Sequence, residues 1–434
     1  MRQTACLRSW ATRFVQAGAA ACFAFALPVH ADERADCTRI GRDNIVSCAL
    51  AASLYVREEL NTVDALRGRR IASGAYLPSN PVLSFSGAQR RAPGADVSTL
   101  NWYASLSQEF EVGGQRASRV RAADASIAAQ EKRVSIKRRE TAVRAWSIFF
   151  DAIAAREQQR LASRLLASSQ KMGVVARARA DKGLSPTLEA DLADAAVFRL
   201  LQVKLAADRA VSSAQTQLNF LLGRDAENAP LVVEGDLVPH ASHLDARPGG
   251  LPLSERPEVQ IASADRTAML ARAEALRRSR VPNPSLSVFV QNDGFNERVF
   301  GLGVAIPIPL PSPIGRAYAG EIAEANALAD RTQVEQTRAQ REIQRDIADA
   351  VTEHTAHRLA VDALTPEKVQ KSEQSLGNLQ IAIETGRLGV REALIAQQPL
   401  LELLQANIAE RHALCLASIQ LARALGVTLE GSTK

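Results

Sequence analysis

His354 and His357 stand at i, i+3 beside Glu353, a spacing that can chelate a metal ion from one face of a helix. No third ligand accompanies them, and His240, His243 and His412 are scattered, so the pair reads as an exposed polar helix face. Neither a metal site nor a cofactor is expected. The cysteines offer a second chemistry. Cys37 and Cys48 lie close together near the start of the chain and read as a disulfide if the chain is exported to an oxidising compartment, whereas Cys415, spaced among helix-core residues, reads as a buried thiol. There is no phosphate-cradling loop, no nucleophile elbow and no carboxylate pair in a catalytic setting, so an enzyme is not expected.

Export is written at the N-terminus. Arg2, Arg8 and Arg13 precede the apolar run Ala17 to Leu27, and Val29-His30-Ala31 is a small-x-small cleavage pattern, which makes residues 1–31 a signal peptide. Cys22 follows Ala19-Ala20-Ala21, so a lipidated cysteine is the alternative processing route. Loss of those three arginines would halve the formal charge of +6. A balance that small, with both signs interspersed, gives no electrostatic case for nucleic acid. The 434 residues are 46% hydrophobic but only 4% aromatic, which excludes wholesale disorder and favours long helices. Beyond the signal no run of 18 apolar residues occurs, so no helical membrane span is expected.

The remaining chain is organised by an internal repeat. Pro78-Ser79-Asn80-Pro81 returns as Val281-Pro282-Asn283-Pro284, and Gly183 and Gly386, Glu189 and Glu392, and Gly223 and Gly426 share one offset of 203 residues. The copies span residues 32–223 and 254–426, joined by a Pro-, Gly- and Asp-rich linker over 224–253 with a short strand at Leu231-Val232-Val233, and followed by a tail at 427–434. Each copy runs in the same order: a helical segment (Ile45 to Tyr76, or Pro257 to Arg280), the Asn-Pro landmark, two extended stretches, a long helix, a Gly-marked turn and a shorter helix.

The extended stretches, at about 82–92 and 98–111 and again at about 284–292 and 298–309, alternate apolar and polar or small residues. Leu83 and Phe85 oppose Ser84 and Ser86; Phe300, Leu302 and Val304 oppose Gly301, Gly303 and Ala305. Turn signals Pro93-Gly94 and Asn292-Asp293-Gly294 make each pair a hairpin. Period-2 alternation fits a soluble sheet or a membrane barrel. The strands have the length a tilted membrane strand needs, and everything else reads as helices leading away from them, which favours the barrel. Four strands are too few to close one, so several chains must share it.

The long helices are expected at about 113–181 and about 315–384. The first contains no proline, and at 1.5 Å per residue reaches about 100 Å. Val120, Ile127, Val134, Thr141 and Ile148 recur every seven residues, as do Leu394, Leu401, Ile408, Cys415 and Ala422, the seam of a coiled coil. Pro366 ends or kinks the second long helix near Thr365.

Taken together, the two Asn-Pro landmarks, the two strand hairpins, Gly114-Gln115-Arg116 and Gly315-Arg316, and the turns Gly183-Leu184-Ser185 and Gly386-Arg387-Leu388, each with a Glu six residues past its Gly, resemble the TolC-type outer membrane factor (outer membrane efflux protein) family. The resemblance covers essentially the whole mature chain. The Gly-Gln-Arg element and short hairpins are most similar to the branch serving heavy-metal efflux pumps.

The resemblance implies a mainly α fold with a small membrane β-barrel contribution, assembling as a homotrimer with a shared barrel in outer membrane lipid and a helical tunnel in the periplasm. It implies a passive efflux conduit docked to a periplasmic adaptor (membrane fusion protein) and an inner-membrane resistance-nodulation-division pump. Gly183, Leu184, Gly386 and Leu388 fall at the adaptor-docking tips, and Glu392, with Arg387, at the gate. The ring of carboxylates that Glu392 would form competes with a plain solvated helix charge, and Ile395 replaces a second acidic position found in some members. A periplasmic coiled-coil adaptor or structural envelope protein is the alternative, though adaptors usually carry one helical hairpin and no paired amphipathic strands.

Overall fold

The computed structural model describes residues 37–91, 98–225, 231–240, 250–292, 297–310, 314–315, 317–427 and 429. The signal peptide with Cys22, the hairpin tips with Pro93-Gly94 and Asp293-Gly294, His243, Arg316 and most of the C-terminal tail lie outside them.

The described chain begins with a short strand β1 (Arg39–Ile40) and helices α1 (Ile45–Ala52) and α2 (Leu54–Ser73). One continuous helix to Tyr76 is expected from the sequence. The chain instead breaks at Ser53, which is extended and whose hydroxyl accepts from the Val56 N–H (3.3 Å), so that it caps α2. Strands β2 (Val82–Arg91) and β3 (Ser98–Glu109) follow, then α3 (Gln115–Asp181), a single helix of 67 residues, and α4 (Thr187–Leu221).

The connecting segment carries β4 (Val232–Val233), which pairs in parallel with β1. Then follow α5 (Pro257–Arg278), β5 (Ser285–Asn292), β6 (Arg298–Ala305), α6 (Ala319–Ala363), α7 (Pro366–Glu384) and α8 (Val390–Leu425). β6 stops four residues short of the expected boundary because Pro307 and Pro309 offer no N–H to a ladder. The second long helix begins at Ala319 and is broken into α6 and α7 at Leu364-Thr365. There Pro366 takes the first helical position, and the Thr365 hydroxyl accepts from the Lys368 N–H (3.4 Å).

All four longer strands form one antiparallel sheet in the order β2-β3-β5-β6. Its registers place Leu83, Phe85, Leu106, Val288, Leu302 and Val304 on one face, and Ser84, Ser86, Ser105, Ser287, Gly301 and Gly303 on the other. The apolar face is bare: Leu83 and Leu302 are each 76% exposed.

The helices run away from this sheet, and their core lies midway along α3. Trp146, Phe149 and Phe150 are buried there in mutual ring contact, against Ile40, Ile45, Leu218, Val233, Cys415 and Ile419. Trp146 Nε1 donates to the Leu429 carbonyl (3.2 Å). The heptad seam is therefore core only in its lower part: Val134, Thr141 and Ile148 are buried, while Val120 and Ile127 are half-buried. Cys37 and Cys48 are joined in a disulfide with Cα atoms 6.0 Å apart, which ties the turn before β1 to α1 beside this core. Cys415 is buried and free, and burial pushes its thiol up to about 12.

Candidate gate, docking tips and membrane sheet

At the far end from the sheet, α3 and α7 each close with the same device. Gly183 and Gly386 adopt left-handed φ of 69° and 72°, a region that costs an L side chain about 1–2 kcal/mol. Leu184 N–H then reaches back to the Arg179 carbonyl and Arg387 N–H to the Ala382 carbonyl, both at 2.9 Å, so the last carbonyls of each helix are satisfied. The Gly-Leu and Gly-Arg-Leu turns form for this local reason, independent of any partner.

Beneath the turns the two hairpins share a small core of Met172, Ala176, Ala193, Ile383, Val390 and Ala393. Leu388 packs against it and is half-buried; Leu184 is 67% exposed. The two leucines, equivalent in the sequence pattern, thus differ in what they offer a partner. Arg387 is exposed. Arg179, from the last turn of α3, brings Nη1 to 3.3 Å from where a Gly386 Cβ would stand, so it lies over the second turn.

Glu392 is exposed, and its Oε2 accepts from the Gly389 N–H at 3.3 Å as the N-terminal cap of α8. Glu189 holds the equivalent place in the first turn of α4. A methyl group added at Gly389 would lie 3.3 Å from Glu392 Oε2 and 4.0 Å from Glu189 Oε1, so both carboxylates converge on one turn. Sequence reasoning treats Glu189 only as a repeat landmark; the shared offset is the signal that pairs it with Glu392.

The second hairpin is interrupted where the first is continuous. α3 runs unbroken to Asp181, whereas α6 and α7 are interrupted at Leu364-Thr365, and Pro399 sits inside α8, where it removes a hydrogen bond and crowds the preceding turn. Higher on α8, three consecutive residues clamp it to its neighbours. Glu410 pairs with His357 of α6 (2.9 Å), and Arg411 and His412 pair with Glu157 and Asp151 of α3 (3.1 and 2.7 Å). His357 is thus turned to Glu410, with Glu353 at 3.6 Å. Among the described residues no group of three His, Cys, Asp or Glu side chains is placed to hold a metal ion.

Where the sheet meets the helices, the second Asn-Pro landmark is tied to the ends of β3 and α3. Gln115 Nε2 donates to Asn283 Oδ1 (3.0 Å), and Asn283 Nδ2 donates to Glu109 Oε1 (2.8 Å). A Cβ on Gly113 would come within 3.1 Å of Gln115, Val281 and the Arg278 carbonyl, so only glycine fits this junction.

With its four-stranded sheet, one face bare and apolar, mounted on long antiparallel helices, the chain shares the fold of solved outer-membrane channels. It is similar at a TM-score of 0.71 to VceC of Vibrio cholerae, at 18% identity over 90% of this chain and 97% of that one. Residues 50–224 match the model of the outer membrane efflux protein family.

Among curated proteins it is similar to the nickel-cobalt-cadmium resistance protein NccC of Alcaligenes xylosoxydans xylosoxydans, 29% identical over 207 residues, or 48% of this chain and 46% of the relative. It is also similar to the nickel and cobalt resistance protein CnrC of Cupriavidus metallidurans, 26% identical over 48% of this chain and 49% of that one. The chain thus spans about half the length of the curated relatives it matches.

Proposed function

We propose that this protein is the outer-membrane exit conduit of a tripartite efflux system, carrying divalent transition-metal cations passively from an inner-membrane resistance-nodulation-division pump and a periplasmic adaptor. The observation that carries the reading is the sheet: its apolar face stands in solvent and both its edges are unpaired among the described residues, which suits strands facing lipid in a barrel built from several chains. Three copies would supply twelve strands, above the minimum of about eight that a membrane barrel needs. The cargo class rests on the names of the two metal-resistance relatives.

In this reading the helical tips are the gate. Glu392 and Glu189 of each copy would gather carboxylates around the axis, which lowers the barrier for cations and raises it for anions. Exposed Leu184 and Arg387 on rigid glycine turns suit adaptor docking, while Leu388 helps hold the two hairpins together. Opening is a swing of α7 and the tip of α8 that bends at Pro366 and Pro399, while the charged clamp at residues 410–412 holds the rest of α8 in place. Docking would shift the closed and open populations by binding the open tips better.

The test is fractionation and conductance. The reading requires heat-modifiable trimers that need detergent for extraction and that form cation-selective pores in planar bilayers. Release of the protein by osmotic shock without detergent overturns it. Deletion of the gene should raise sensitivity to nickel and cobalt.

A further inference from the structure

The internal repeat carries information about an interface that a single chain does not contain. The sheet order is β2-β3-β5-β6, and the helices below follow the same order, α3 lying between α2 and α5, and α5 between α3 and α6. Among the described residues the first and last members of each layer, β2 with α2 and β6 with α6, are therefore the ones left open on one side, α6 also meeting α8. Their outer faces carry exposed apolar residues, among them Ile71 on α2 and Val334 on α6. One joint between repeats is present within the chain, β3 against β5 and α3 against α5. The matching joint, β6 against β2 and α6 against α2, has nowhere to form except with another copy.

We infer that β6 of one copy pairs antiparallel with β2 of the next in the register set by the β3–β5 ladder, so that Val304 faces Phe85 and Gly303 faces Ser86 of the neighbouring copy. The derivation is a substitution of equivalents. The landmark offset equates Val288 with Phe85 and Phe289 with Ser86. The two hairpin ladders, Val82 opposite Ser107 and Ser285 opposite Ala305, equate Leu106 with Val304 and Ser105 with Gly303. The observed pairs Leu106–Val288 and Ser105–Phe289 then become Val304–Phe85 and Gly303–Ser86.

The chemistry of the faces agrees. Val304 and Phe85 extend the apolar face across the joint, and Gly303 and Ser86 extend the small, polar one, whereas a slip of one residue would put Phe85 on the inner face. The inference rests on the shared-barrel reading and adds to it which residues meet.

Cysteine cross-linking of the full chain in outer membranes tests it. Within one copy β2 and β6 are separated by three strand spacings, about 14 Å, beyond the roughly 7 Å Cα limit of a disulfide, so any bond between them is intermolecular. Two double variants are needed, V304C with F85C and G303C with S86C, because adjacent pairs alternate between the wider and the closer spacing of an antiparallel ladder. Expected is a covalent trimer on non-reducing gels from at least one of them, and little from the slipped controls V304C with L83C and V304C with G87C.

Efficient trapping by a slipped pair, or trimers that none of the pairs traps, overturns the register and leaves the shared barrel standing. Sedimentation of the protein as a detergent-solubilised monomer overturns the shared barrel itself.

Discussion

For the proposed gating, Pro399 is the residue whose replacement bears most directly on the outcome. It lies inside α8, where proline lacks the N–H that would bond the Ile395 carbonyl, and where its ring crowds that turn. Replacement by alanine restores one helix hydrogen bond, worth about 1 kcal/mol, and removes the clash, for a total of roughly 3 kcal/mol in favour of a straight α8. If opening bends the helix there, the open state loses up to that amount relative to the closed one, a factor of up to about 150 at RT ≈ 0.59 kcal/mol.

The assay is single-channel conductance of the reconstituted protein with Pro399→Ala, read alongside thermal stability. The expected outcome is a higher melting temperature together with a lower open probability. A stabilised protein with unchanged open probability would refute the hinge, since the same helix would then be straightened at no functional cost.

Removing the disulfide with Cys37→Ala and Cys48→Ala releases a loop of sequence separation 11, which by chain entropy costs about 3 kcal/mol; urea unfolding of the detergent-solubilised protein should show a lowered midpoint with little change in slope. Glu392→Ala should reduce cation selectivity in reversal-potential measurements, and Glu189→Ala added to it should reduce it further; selectivity unchanged in both would remove the carboxylates from the gate.

Cys415 gives a pH test. Its thiol is held up to about 12 in the folded chain against about 8.5 in a free one, so the unfolded state loses its proton first and stability falls as pH rises between those values. The slope attributable to this group is about 1.4 kcal/mol per pH unit, and it should vanish in Cys415→Ala.

The parts of the fold legible in the sequence are those with a local cause. α3 follows from a proline-free run, the strands from strict alternation, and the tip turns from glycines that tolerate left-handed φ. Pro366 marks the α6–α7 break in the same way. The first helix was not legible as two, because Ser53 caps α2 only once the chain turns there. β1 was missed because a two-residue strand leaves no periodic signal and exists only through its partner β4. The heptad seam was legible as a period but not as a depth: Val120 and Val134 obey the same spacing, yet only the latter reaches the core.

The sequence by itself carries the signals of a duplicated plan, because the same local cues, whose cause is backbone geometry and side-chain periodicity, recur at one offset. Only the tertiary structure decided which equivalent residues differ in use. Leu388 is drawn into the tip core while Leu184 stays outside, Glu189 is brought to Glu392, and the second Asn-Pro landmark is tied to Gln115 and Glu109. Those outcomes depend on distances between segments far apart in the chain, which packing sets and which no local pattern encodes. The open strand edges belong to the same class: a sequence can specify a strand, but whether that strand has a neighbour is a property of the whole sheet.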